Sequence, residues 1–302
     1  MIDDVVANEA LRKFFKNELK AGRPNGTYLF YGRDDALILR YALAFSKGLC
    51  CETLTGDFCD ECNSCRKINH GVYSDLEILE SAGGALKVDD VRDLILKSSV
   101  TAFEGKNKIF ILKNMENIAP VAANALLKLI EEPNPHCFFI LLSKSLNILP
   151  TIKSRSILVK IREMTAEELG VPEAVHYFFQ GASDDILAYK DSGLSLGDDE
   201  PFLAIGKHLR KYAEENDFSG KLGVYKAIRN YLDQRAYLPL KDKLAFVEEI
   251  MKYGGNREIY KEIIRYGVHA MSYGEGLEKR LSVKATLRYP VNVKLALLQI
   301  FL

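Results

Sequence analysis

No run of apolar residues in this chain approaches the roughly 20 that a helix needs to cross a bilayer, so a membrane protein is not expected. The first residues, Met1-Ile2-Asp3-Asp4, are acidic where a secretory leader would be basic, and a cytoplasmic protein is expected. Neither sign of charge is in excess: 41 Lys and Arg face 41 Asp and Glu. A protein that grips nucleic acid on its own carries a basic patch or stripe, so autonomous DNA binding is not expected. Tryptophan is absent, and nothing functional follows from that. There is no internal repeat and no low-complexity tract, which argues against a solenoid or a compositionally biased tail.

The absence with the most consequence is a phosphate-binding loop. Such a loop needs Gly-x-x-x-x-Gly-Lys-Ser/Thr between a strand and a helix. Backbone N–H groups then wrap the phosphates, the lysine neutralises them, and the hydroxyl holds Mg²⁺. Thr27-Tyr28-Leu29-Phe30-Tyr31 is a β-prone run, and Gly32-Arg33-Asp34-Asp35-Ala36-Leu37-Ile38-Leu39 follows it. The place is right, but only the first glycine remains. Asp34 and Asp35 would set carboxylates where phosphates belong, which is repulsive. The metal-holding acid pair that should follow a later apolar strand is missing too, since Lys113-Asn114-Met115-Glu116 offers one acid, out of place. Taken alone, Gly32 reads equally well as an ordinary turn. Productive ATP binding and hydrolysis by this chain are not expected.

What is present fills 302 residues, 48% apolar and 27% charged, enough for two or three domains. Residues 5–21 place Val5, Val6, Leu11, Phe14, Phe15 and Leu19 near helical spacing, and 35–49 return to that pattern. Apolar runs at 27–31, 76–79, 108–112 and 138–142, with a β-prone segment at 156–161, read as strands. Helical patterns at 88–97 and 119–132 lie between them, the first with Asp89 and Asp90 where carboxylates suit the helix dipole. Strands alternating with helices predict an α/β core, a parallel sheet flanked by helices, with ligands bound beyond the carboxyl ends of the strands. Gly32 marks one such end and Lys113 another. From residue 163 the chain turns to short helical pieces, at 166–169, 174–179 and 184–190, read as a small helical domain. A Gly/Asp-rich linker at 193–201 leads to a region that is helical almost throughout. Its expected breaks are Ser219-Gly220, Leu238-Pro239, Gly254-Gly255 and Tyr289-Pro290. It reads as a separate all-α domain.

Five of the six cysteines crowd together: Cys50, Cys51, Cys59, Cys62 and Cys65. Cys59-x-x-Cys62-x-x-Cys65, with a cysteine a short loop before it, is close to metal-ligand spacing. Four thiolates suit tetrahedral zinc, and the Cys-x-x-Cys turn lets backbone amides support the sulfurs. A cytoplasmic chain disfavours disulfides, and a redox Cys-x-x-Cys site would not carry two more cysteines so near. The first ligand is Cys51 if the helix at 35–49 continues in register; Cys50 would leave a loop one residue longer. His70 is nearby but not needed once four thiols are at hand, and Cys137, ahead of an apolar strand, reads as a core residue. The expected site is a structural zinc module at about 50–66 held by Cys51, Cys59, Cys62 and Cys65, with no position open for catalysis.

An arginine in a loop is by default a surface residue, and an amphipathic helix stopped by proline is common. Together, however, Asn124-Ala125-Leu126-Leu127-Lys128-x-x-Glu131-Glu132-Pro133 and Leu149-Pro150-Thr151-Ile152-x-Ser154-Arg155 closely resemble the bacterial DNA polymerase III clamp-loader subunits, which are AAA+ proteins. The cysteine segment is similar to the zinc module that this family inserts after its first helix. Tyr73-Ser74-Asp75 stands where the family often has His-Pro-Asp. Lys87-Val88-Asp89-Asp90-Val91-Arg92 and Glu104-Gly105-Lys106 also have counterparts there. The likeness covers residues 27–160 and reaches the remainder through its helical layout.

The resemblance implies an AAA+ core at 1–162, a helical lid at 163–198 and a helical collar at 199–302 that holds a pentameric loader together. The gamma/tau branch of the family hydrolyses ATP and keeps both nucleotide motifs. This chain has lost both and so resembles the delta-prime branch, which is usually a stator. The resemblance further implies that Arg155, with Ser154 beside it in a motif that ends here in Ser156, reaches into the ATP site of an adjacent gamma-type subunit. Arginine suits that role because its rigid fork of donors is always charged. The family's second sensor arginine would fall in Gly181-Ala182-Ser183-Asp184-Asp185-Ile186, which has none. Implied partners are gamma/tau-type and delta subunits in a heteropentamer and, through it, the sliding clamp and primed DNA. The segment from Val291 to Leu298 resembles collar helices that bury apolar faces against sister subunits. Two rival readings are an active gamma-like ATPase with a divergent loop and a stand-alone zinc-containing DNA binder. Lys97 and Lys106 read as solvated surface residues.

Overall fold

Apolar runs become strands where the sequence places them. In the computed structural model these are β1 (Gly26–Tyr31), β2 (Leu76–Leu79), β3 (Lys108–Leu112), β4 (Cys137–Ser143) and β5 (Ile157–Lys160). The structure describes residues 1–302 except 24, 81–85, 198–199, 254–256 and 272–292. The strands pair in the order β2-β3-β4-β1-β5, and every pairing is parallel. Parallel neighbours need crossovers, which helices supply. Those of this region are α1 (Ile2–Val5), α2 (Glu9–Ala21), α3 (Asp35–Cys50), α4 (Asn63–Asn69), α5 (Val88–Ser98), α6 (Pro120–Glu131) and α7 (Pro150–Lys153).

Side chains of each strand alternate between two cores. Tyr28, Phe30, Ile109, Ile111 and Ile140 pack with Phe15 of α2 and Phe45 of α3. Leu29, Phe110, Leu112, Phe139 and Leu141 pack with Val91 and Leu94 of α5 and Leu126 and Ile130 of α6. Central β4 is buried at every position, as expected of a strand covered on both faces. Stacked rings stiffen both sides: Phe15 and Phe30 lie 5.5 Å apart, Phe110 and Phe139 5.4 Å.

Three local features depart from the sequence reading. The expected helix at 5–21 is two helices, because Asn8 leaves helical geometry and its side chain accepts from the Leu11 amide at 3.1 Å, an N-cap. Short α4 and α7 lie in segments that carry no helical period. The break expected at Ser219-Gly220 lies instead at Asn216-Asp217. Asn216 takes a left-handed φ of 49° and Asp217 caps the next helix, so Ser219 and Gly220 fall in its first turn.

The chain divides into two compact units, Met1–Asp184 and Asp185–Leu302. The first adds α8 (Ala166–Leu169) and α9 (Glu173–Phe178), and the division falls within α10 (Ser183–Ser192). The second has no strand among its described residues; its helices are α11 (Ile205–Glu215), α12 (Phe218–Gln234), α13 (Leu240–Tyr253), α14 (Arg257–Ala270) and a last helix, Val293–Phe301. Expected breaks at Gly254-Gly255 and Tyr289-Pro290, and the Val291-Asn292 start of the end segment, lie outside the described residues. Gly220 and Gly223 let α11 and α12 approach closely. A Cβ at Gly220 would sit 2.7 Å from the Tyr212 amide nitrogen, and one at Gly223 2.2 Å from His208 Nδ1. Within this unit Lys221 lies between Asp185 (2.8 Å) and Glu262 (2.6 Å), and the hydroxyls of Tyr212 and Tyr225 donate to Glu262 at 2.6 Å each. Burial opposes the lysine charge, but the two carboxylates outweigh it and hold Lys221 above its ordinary value. Among the described residues no helix is long and apolar enough to cross a membrane.

Candidate functional site

Helix α3 ends between two adjacent cysteines, and its register separates them. Cys50 turns inward, with Sγ 3.9 Å from the Asn107 carbonyl oxygen, and burial pushes its thiol up to about 12. Cys51 leaves the helix in extended geometry and meets Cys59, Cys62 and Cys65. The four sulfurs lie within 4.8 Å of one another, Cys51 and Cys59 at 3.8 Å. Sulfurs bound tetrahedrally to one zinc at ~2.3 Å stand about 3.8 Å apart, so the set fits that ion. The Leu54 amide donates to Cys51 at 3.4 Å, and those of Cys62 and Glu61 donate to Cys59 at 3.2 and 3.4 Å. The Thr53 hydroxyl and then these two amides hold the Cys59 thiol down, at about 6. His70 caps the end of α4, is exposed, and stands outside the group. Cys137 is buried in the sheet core.

The loop these cysteines close also grips the start of the chain. Asp57 accepts from the Ile2 amide at 2.8 Å, and Ile2 and Val6 are fully buried. Lys47 bonds Asp60 at 2.5 Å and lies 4.0 Å over the ring of buried Phe58.

At the carboxyl ends of the strands the chain occupies its own crevice. A Cβ at Gly32 would lie 2.3 Å from the Ile161 carbonyl oxygen, so close strand approach alone accounts for this glycine. Asp34 caps α3 through the Leu37 amide (3.1 Å), and its other oxygen accepts from the Ser183 amide at 2.9 Å. Arg40 pairs with Asp184 at 2.6 Å. Asp35 pairs with Lys144 at 2.5 Å. Glu116, the single acid after β3, accepts from the Ser143 hydroxyl (3.1 Å) and the Lys144 amide (3.2 Å). The cleft among Asp35, Ile38, Lys113, Asn114, Glu116 and Lys144 has a volume of about 20 Å³, room for roughly one water.

Arg155 lies elsewhere. In register, Ile157 pairs with Tyr28, so Arg155 stands near the amino end of β1, while Gly32 follows its carboxyl end. Six strand residues separate the two by roughly 20 Å. Its Nε donates to Glu131 at 2.8 Å and one terminal nitrogen to the Thr151 carbonyl at 3.2 Å. The Ser154 hydroxyl donates to the same carbonyl at 3.1 Å, closing the last turn of α7. Asp75, fully buried, accepts from the amides of Phe103 (2.6 Å), Glu104 (2.8 Å) and Gly105 (2.9 Å) and so fixes the approach to β3. The roles of Glu131, Lys144 and Asp75 carry no local sequence signal, because each partner is distant in the chain.

A parallel sheet in this order, flanked by helices, with its strand-end crevice beside β1, is the AAA+ fold. The same fold is seen in a gamma subunit-related protein of DNA polymerase III from Thermotoga maritima. Its TM-score is 0.59 at 19% identity, over 97% of this chain and 96% of that one. Residues 7–165 match the family described as DNA polymerase III, delta subunit, and the chain belongs to that family. It is 33% identical to DNA polymerase III subunit tau of Escherichia coli K12 over 168 residues, 55% of this chain and 26% of that protein. It is 38% identical to subunit delta' of Pseudomonas aeruginosa over 194 residues, 62% of this chain and 57% of that protein. The chain thus spans about a quarter of the tau protein and little more than half of the delta' protein.

Proposed function

We propose that this chain is a delta-prime-type subunit of a DNA polymerase III clamp loader, one that hydrolyses no ATP itself and lends Arg155 to the ATP site of an adjacent gamma/tau-type subunit. One observation carries this reading. In the crevice where a nucleotide would sit, Asp35 pairs with Lys144, Asp34 with the Ser183 amide and Glu116 with Ser143, while Arg155 stands at the far end of the sheet, out of reach of that crevice. An arginine so placed can serve a phosphate only on another molecule, and always-charged arginine is suited to the charge that builds up on a transferring phosphoryl group. Ser154 shapes the turn that carries it. The likeness to delta' and tau proteins supports membership of such an assembly.

On this reading residues 1–162 are the core, 163–198 the lid and 199–302 the collar. The partners are gamma/tau-type and delta subunits in a heteropentamer that acts on the sliding clamp and primed DNA in the cytoplasm. Cys51, Cys59, Cys62 and Cys65 hold a structural zinc whose four protein ligands leave no open position, so it supplies stability rather than chemistry. The likeness to tau also favours a second reading, an active gamma-like ATPase with a divergent loop. ATP binding by the isolated chain separates the two, micromolar affinity favouring the second, and Arg155→Ala in a loader reconstituted with its gamma-type and delta partners tests the donor role. Assembly should persist while DNA-stimulated ATP turnover falls, because one interface loses its transition-state cation. Unchanged turnover would overturn the proposal.

A further inference from the structure

Glu131 is a residue to which nothing so far assigns a part. We infer that it is the positioning residue for Arg155: it holds the guanidinium by Nε and leaves three terminal N–H donors to face a neighbour's phosphate. The inference rests on the donor role proposed for Arg155 and says how this chain prepares that role before any neighbour arrives.

Both ends of the contact stand on anchored backbone. Glu131 is the last residue of α6, and the chain on either side of it is tied once to β1 and once to the residue just before that strand. The Thr27 hydroxyl donates to the Ile130 carbonyl at 2.9 Å, and the Asn25 side-chain amide donates to the Pro133 carbonyl at 2.6 Å. Ile130 is 1% exposed. Arg155 follows α7, whose Ile152 is fully buried, and its own amide donates to the Ile152 carbonyl at 3.2 Å. The hydroxyls of Ser154 and Ser156 each close the turn onto carbonyls of Thr151 and Ile152. Neither backbone is free to drift relative to the sheet.

The guanidinium between them is held at two points, Nε on Glu131 and one terminal nitrogen on the Thr151 carbonyl. A guanidinium has five N–H donors in a fixed plane. Two held donors fix that plane, and three remain. The terminal nitrogens form the fork that meets phosphate oxygens. A carboxylate bidentate on the terminal nitrogens would have blocked the fork; one on Nε supports it.

Stability does not explain the pair. The side chains are 30% and 53% exposed, and ion pairs that open to water contribute little to folding. What such a contact can do is restrict a long side chain whose rotamer freedom would otherwise be lost on engagement. The carboxylate also offsets part of the arginine charge. A Gln at 131 would keep an acceptor without that offset, so substitutions tell positioning from charge masking.

The test uses the reconstituted loader with wild-type chain, Glu131→Ala, Glu131→Gln and, in parallel, Arg155→Ala. Glu131→Ala is expected to lower kcat for ATP about twofold, short of the Arg155→Ala loss, with KM for ATP and loader assembly unchanged. Glu131→Gln, which still accepts from Nε, is expected to restore kcat. If both Glu131 variants match wild type while Arg155→Ala is impaired, the inference falls and the donor role stands. If both raise kcat, Glu131 is a mask and the inference falls. If Arg155→Ala itself has no effect, the donor role fails and takes the inference with it.

Discussion

Cys50 and Cys51 are chemically identical and adjacent, yet one turn of backbone sends them to opposite environments. Cys50 completes the buried face of α3, where its thiol is raised by burial; Cys51 leaves the helix and joins three other sulfurs. Purified Cys51→Ala should lose the bound zinc, while Cys50→Ala should keep about one ion per chain, read by elemental analysis. Loss of zinc from Cys50→Ala and its retention in Cys51→Ala would reverse the assignment. The spacing Cys59-x-x-Cys62-x-x-Cys65 could be read from the sequence because ligand geometry is local. The choice of first ligand depended on the register of a helix end, so the sequence favoured Cys51 without deciding it. Glu131 and Lys144 could not be read at all. Their partners Arg155 and Asp35 are neighbours only once β1, β4 and β5 are side by side.

Among elements, the cysteine loop does more than close on itself. Asp57 holds the Ile2 amide, and the loop packs Phe58 into the core beside α1 and α3. The loop has little regular structure of its own, so removing the ion should release α1 before it disturbs the sheet. Chelation of the intact chain is expected to speed hydrogen exchange at the Ile2 and Val6 amides by at least tenfold, with Ile109–Ile111 in β3 unchanged. Equal protection of residues 2–6 with and without the ion would show that α1 docks independently of it. Strands were the most legible elements: β1, β3 and β4 are dense apolar runs whose side chains fill both cores. Short α4 and α7 were not, since four to seven residues are too few for a period to show. The break at residues 6–8 was hidden because Val5, Val6 and Leu11 keep helical spacing across it, while Asn8 caps the next helix. Gly220 suggested a break but serves close packing of α11 on α12.

At the scale of the whole molecule, the proposed function joins the two ends of the sheet. The crevice at the carboxyl ends of β1, β3 and β4 is filled by Asp34, Asp35, Glu116 and Lys144, and Gly32 is explained by its approach to Ile161. The sequence announced the missing phosphate loop through Asp34 and Asp35. It did not announce that these same carboxylates would be engaged within the chain, capping α3 and pairing with Lys144 and the Ser183 amide. Arg155, at the other end of the sheet, pairs with Glu131 on a turn braced by Ser154 and Ser156. On the proposed function this chain turns over no triphosphate of its own. The most direct measurement is steady-state ATP turnover by the purified full chain alone, with Mg²⁺ and primed DNA present. No turnover above the buffer rate is expected, and sustained hydrolysis that follows the concentration of this chain would contradict the account.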